Sequence, residues 1–151
     1  MSSVVHGSFT INRTWKASPA RVFAAFADEQ AKRKWFGGPD MVLLEKSFDF
    51  REGGRETASG KHPNGMVSSF DCIYRDIVVN QRIVYSYVMH LNGKKISVSQ
   101  ACITLTPDGS GTKFTVTEHG DFLDGYDDAG AREHGTNFLM DTLGKLIGEQ
   151  Q

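Results

Sequence analysis

Two turn-rich strand signatures, set between helical ends, constrain what this chain can fold into. The first is Asp49-Phe50-Arg51-Glu52-Gly53-Gly54-Arg55, followed by His62-Pro63-Asn64-Gly65. The second is Gly111-Thr112-Lys113-Phe114-Thr115-Val116-Thr117-Glu118-His119-Gly120. Alternating strands fill the space between them, and strands joined by such short turns pair antiparallel. One long helical segment closes the chain. That order predicts a curved antiparallel sheet folded around a C-terminal helix, with an apolar hollow between them.

The order of elements reads strand, two helices, six strands, helix. Ser8 to Lys16 alternates and forms the first strand. Ser18-Pro19 opens a helix, because Ser accepts a free backbone N–H at the N-cap and Pro loses nothing at the first helical position. Val22, Phe23 and Phe26 make its buried stripe. Asp28 caps a second short helix, from Glu29 to about Trp35, which Gly37-Gly38-Pro39 ends. From Val42 the period becomes two. Leu44, Phe48 and Phe50 face one way; Glu45, Ser47, Asp49 and Arg51 face the other. Strand Val42–Arg51 then turns at Gly53-Gly54 to pair with Arg55–Lys61. Further turns fall at Pro63-Asn64-Gly65, Asn80-Gln81, Asn92-Gly93 and Pro107-Asp108-Gly109. Thr112–Glu118 is the last strand. The closing helix runs from about Asp127 to Glu149, capped by Asp127 or Asp128, with Phe138, Leu139, Leu143, Leu146 and Ile147 as its apolar stripe.

Composition narrows the function classes. The chain has 151 residues, with 17 basic and 18 acidic side chains. No strong field exists to attract nucleic acid or anionic lipid. Apolar runs fall far short of the ~20 residues needed to span a bilayer, which excludes membrane insertion. No signal peptide is expected at the N-terminus, so a cytoplasmic location is expected. Cys72 and Cys102 read as small buried hydrophobes. One domain, residues 1–151, is the expected parse.

Read together, the motifs resemble a known family. The Ser18-Pro19 helix start, Trp35 before a Gly-Gly pair, Asp49-Phe50-Arg51 before Gly53-Gly54, Pro63-Asn64-Gly65, Gln81-Arg82-Ile83-Val84-Tyr85, and Gly111-Thr112 leading to His119-Gly120 occur in one order. They resemble the bacterial proteins related to the activator of Hsp90 ATPase, within the START/Bet v 1-like superfamily. The resemblance implies an α+β helix-grip fold. In it a curved seven-stranded antiparallel sheet wraps a long C-terminal helix, two short helices follow the first strand, and a ligand cavity lies between sheet and helix. Relatives commonly carry Gly-Trp early in the last helix; here the pair is Gly135-Thr136. Members of the superfamily bind lipids and natural products, cyclise polyketides or assist chaperones, so the fold alone does not name a chemistry.

The candidate ligand-binding residues are Trp35, Phe48, Phe50, Phe70, Tyr74, Tyr85, Tyr87, Phe114, Phe138, Leu139 and Leu143. The strand aromatics share a face in the period-two reading, and the inward tyrosines bring hydroxyls that can anchor a small molecule. The acidic residues Glu118, Asp121, Asp124, Asp127 and Asp128 do not have calcium-loop spacing and read as a solvated loop with a helix cap. No histidine pair has metal spacing, and no phosphate loop or nucleophile elbow is present. No metal or cofactor is therefore expected. The favoured function is binding of an apolar or amphipathic small molecule without chemistry. Two alternatives stay open: a cyclase- or hydrolase-type enzyme using His134, Tyr74, Tyr85 or Glu118 as acid or base, or a chaperone-associated protein acting through its surface. The eukaryotic chaperone activators carry an additional N-terminal domain that this sequence does not show. A homodimer is a further open partner.

Overall fold

The computed structural model describes residues 2–38 and 40–148. Pro39, where the second helix was expected to stop, and Glu149, the expected end of the last helix, lie outside the described residues. The elements are β1 (Val4–Trp15), α1 (Pro19–Ala27), α2 (Glu29–Arg33), β2 (Val42–Phe48), β3 (Arg55–Lys61), β4 (Val67–Val78), β5 (Arg82–Leu91), β6 (Lys94–Asp108), β7 (Gly111–Leu123) and α3 (Ala129–Leu146). The strands form one seven-stranded sheet in the order β1-β7-β6-β5-β4-β3-β2. Every neighbouring pair is antiparallel.

The helix caps follow from side-chain chemistry. Ser18 Oγ accepts the Arg21 N–H at 3.2 Å, and Asp28 accepts the Ala31 N–H at 3.0 Å. Asp128, not Asp127, caps α3, accepting from Ala131 at 2.8 Å. The β2–β3 turn needs its glycines. Gly53 has φ of +80°, and a Cβ on Gly54 would come within 2.1 Å of the Asp49 carbonyl oxygen. At the β5–β6 turn, Asn92 and Gly93 both take positive φ (50° and 80°), as a hairpin matching the twist of its strands requires.

Four departures from the sequence reading matter for the site. A bulge between Leu43 and Glu45 shifts the phase of β2, so Leu43 rather than Leu44 lines the cavity together with Lys46, while Phe48 packs near Phe50 and Lys32. β2 ends at Phe48 rather than Arg51, leaving Phe50 in the turn. β7 runs past Glu118 to Leu123, which puts Asp121 in the strand rather than in a loop. The buried residues of α3 are Met140, Leu143 and Gly144, whereas Phe138 and Leu146 are exposed. The reason is helical geometry: positions 138, 142 and 146 share a face turned away from the one that carries 140, 143 and 147.

The core fills the end of the sheet nearest α1. Trp15 and Phe114 pack with ring centroids 4.7 Å apart, and Phe26 stacks on Phe114 at 5.9 Å. Cys72 is buried and free, and its thiol is pushed up to about 12, chiefly by burial. Among the described residues no helix is long and apolar enough to cross a membrane.

Candidate functional site

α3 packs over β1 and β7. Arg13 of β1 helps hold it, donating to the Asn137 side chain at 3.0 Å and to Asp141 at 2.9 Å. The β3–β5 part of the concave face is left to α2 and the loop after it. Lys32 leans onto Glu56 of β3, and Phe36 packs edge-on against Phe70 of β4 at 5.0 Å. Between these two covers lies a cavity of about 750 Å³. That is within the usual range for small-molecule pockets, about 300–1,000 Å³.

Of the residues expected to contact ligand, Trp35, Phe70, Tyr85, Tyr87, Phe138 and Leu139 line this cavity. Phe48, Phe50, Tyr74, Phe114 and Leu143 are not on its wall. Phe114 and Leu143 are in the core, at 1% and 0% exposure. Phe48, Phe50 and Tyr74 form a neighbouring aromatic cluster, with Phe50 reaching Tyr74 at 4.8 Å and Phe23 at 5.7 Å. Thr136 also lines the cavity, and its hydroxyl donates to the Arg132 carbonyl one turn back.

Beneath the aromatic cluster is a buried polar triad that the sequence reading missed. Lys32 Nζ donates to Glu56 Oε1 at 2.7 Å and to Tyr74 Oη at 3.3 Å. The Tyr74 hydroxyl also donates to Glu56 Oε1. Glu56 is fully buried, and its second oxygen has no partner among the described residues. Burial, then the neighbouring Glu56, holds the Tyr74 hydroxyl far above its ordinary range. Tyr74 is thus a neutral donor committed to Glu56, away from the cavity wall. A signal was present in the sequence: Glu56 shares its parity with Ala58 and Gly60, both of which line the cavity.

A second network joins β5, β6, β7 and α3. Arg132 donates to Tyr87 Oη, Ser97 Oγ and Asp127 Oδ2, each at 2.8 Å, and stands 3.7 Å from Glu118. The Tyr87 hydroxyl donates to Glu118. Burial raises the Glu118 carboxyl above its ordinary range, opposed by Tyr87 and Arg132. Arg132 was also missed, although it falls one turn before Thr136 on the stripe that continues to Leu139 and Leu143. Glu118 and Asp127 are inward-facing partners of Arg132, not members of a solvated loop.

The remaining candidates sit differently. The Tyr85 side chain lines the cavity, and its hydroxyl makes no protein hydrogen bond among the described residues, unlike those of Tyr74 and Tyr87. Burial, then the nearby Glu118, keeps Tyr85 protonated, so it can donate to a bound molecule. His134 is exposed on α3 and borders the cavity. His62 borders it from the β3–β4 turn, held to Ser68 Oγ at 2.8 Å. Among the described residues no three His, Cys, Asp or Glu side chains cluster to hold a metal.

Lys46 is the third feature missed. It lines the cavity from β2, and its ammonium lies 5.8 Å from the Phe48 ring centroid; Lys32 approaches the same ring at 5.9 Å. Burial lowers the Lys46 pKa, and the carboxylates Glu56 and Glu29 only partly restore it.

The family model described as activator of Hsp90 ATPase homolog 1-like protein matches residues 16–148. The chain belongs to that family. The helix-grip architecture expected from its motifs is the one observed. The Mll3558 protein of Rhizobium loti is 45% identical, with a TM-score of 0.88 over 95% of this chain and 98% of its own. A protein from Rhizobium leguminosarum is 38% identical, with a TM-score of 0.92 over 97% of each chain. The CV1439 protein of Chromobacterium violaceum, at 24% identity and a TM-score of 0.79 over 93% of this chain and 96% of its own, shares the fold. No curated protein matches the sequence.

Proposed function

We propose that this member of the family binds an apolar or amphipathic small molecule in the cavity between sheet and α3. The observation that carries the reading is a cavity of about 750 Å³ walled by Trp35, Phe36, Phe70 and Leu139, with the Tyr85 hydroxyl, which has no protein partner among the described residues, set among its apolar surfaces. A few placed polar groups on an apolar wall are the usual build of a ligand site. Two of the candidate acid–base groups are already engaged within the protein, Glu118 with Tyr87 and Tyr74 with Glu56 and Lys32, while Tyr85 and His134 remain on the cavity wall. The engagement of Glu118 and Tyr74 supports binding over the cyclase or hydrolase alternative, since a general acid needs a free path to its substrate. The molecule sits in the protein unaltered.

Titration with the neutral fluorophore N-phenylnaphthylamine tests this. Saturable fluorescence enhancement, with one intact probe retained in native mass spectrometry, is the expected result. Absence of saturable binding would remove the proposal, and a probe mass altered by the protein would replace it with catalysis.

A further inference from the structure

Resting on the cavity-binding reading, we propose that the natural ligand is an amphipathic acid whose anionic head is received by the Lys46 ammonium at the β2 side of the cavity. The reasoning begins with the charges on the wall. Lys32, Arg33, Lys46 and Arg132 supply four cations there, against three carboxylates, Glu118 and Asp127 on the wall and Glu56 just behind it. Pairing is uneven. Lys32 is taken by Glu56, and Arg132 by Asp127 and Glu118. Among the described residues Lys46 and Arg33 form no ion pair, while each wall carboxylate has a cation or hydroxyl partner.

The unneutralised charge of the cavity is therefore positive, and it lies at one end. Lys46 is half-buried and Arg33 exposed, so the first meets the ligand and the second stands at the mouth. Removing an ammonium from water without a partner is costly. A ligand carboxylate or phosphate would supply the missing partner, whereas a neutral or cationic head would leave Lys46 unpaired or repelled. The apolar side chains between α2 and α3 then take the tail.

A head-group series with one tail separates this inference from the cavity reading. Dodecanoate, dodecanol and dodecyltrimethylammonium, each below its micelle concentration, would compete against N-phenylnaphthylamine. Dodecanoate should displace the probe about tenfold more tightly than dodecanol, the scale of one hydrogen bond to a charged group. Lys46→Met keeps the apolar stem and should erase that preference while leaving dodecanol unchanged. Lys113→Met, on an exposed outward position of β7, should erase nothing. Equal binding of acid and alcohol, or tightest binding of the ammonium, overturns the inference and leaves the cavity reading standing. A preference that survives in Lys46→Met overturns the assignment to Lys46. Failure of all three dodecyl compounds and of the probe overturns both. The wild-type series decides the head charge even if the variant folds poorly, and a phosphate-headed dodecyl chain then sorts carboxylate from phosphate.

Discussion

The Lys32 ammonium of α2 lies 2.7 Å from Glu56 Oε1 of β3, with side-chain exposures of 6% and 0%. This pair joins the short helix to the sheet across a ring of aromatics. Breaking a buried pair strands a charge, whereas replacing both partners with apolar groups is often neutral or stabilising. Lys32→Met should therefore destabilise by about 3–5 kcal/mol, and the double variant Lys32→Met/Glu56→Leu should regain most of that loss. Urea denaturation of the two variants checks it; a double variant as unstable as the single would show that the pair itself holds α2 in place.

Glu118 sets a pH dependence. Its folded-state carboxyl is raised, so the native protein holds this proton at pH values where the unfolded chain has released it. Native stability gained from Glu118 is thus present at low pH and is lost as pH rises from the ordinary carboxyl range through the raised value. The stability of wild type relative to Glu118→Gln should fall across that window. Paired denaturant titrations over pH 4–8, the span suggested by ordinary carboxyl values of about 4.3 and an upward shift, measure it. A difference independent of pH would mean that Glu118 is not held protonated.

Phe114 and Phe138 should part company. Phe114→Ala opens a hole between Trp15 and Phe26 in the core and should cost about 3–5 kcal/mol without touching ligand affinity. Phe138 is 49% exposed beside the cavity. Its Ala variant should change stability by about 0.5 kcal/mol or less yet weaken N-phenylnaphthylamine binding. Thermal melts and probe titrations on both proteins make the comparison.

Thr136→Trp places a large ring on the cavity wall. Thr136 is half-buried on the cavity wall, so the indole should occupy space now open to ligand. Probe affinity should drop while the melting temperature holds or rises. Unchanged affinity would show that the ring turns outward and that position 136 does not shape the cavity.

Most of the fold was legible because local chemistry repeats along the chain. Ser18-Pro19, Asp28 and Asp128 announce helix starts through N-cap bonds made within a few residues. Gly53-Gly54 and Asn92-Gly93 announce hairpins through backbone angles that few other residues accept. Inward parity also found Phe70, Tyr85 and Tyr87. The bulge at Leu43–Glu45 was not legible, since no residue there demands an unusual conformation and the extra residue is set by pairing with β3.

The charged half of the site was beyond a one-dimensional reading. Lys32 and Glu56 are 24 residues apart, and Arg132 and Tyr87 are 45 apart. Sequence periodicity decides which way a side chain points; only the packed fold decides what it meets. For these residues the partner determines the role. A buried charge is tolerable when paired and costly when not, so the sequence by itself determined the sheet, the helices and part of the aromatic wall. The tertiary structure decided that Lys32 and Arg132 are matched, that Phe114 and Leu143 are core, and that Lys46 faces the cavity without an ion-pair partner among the described residues.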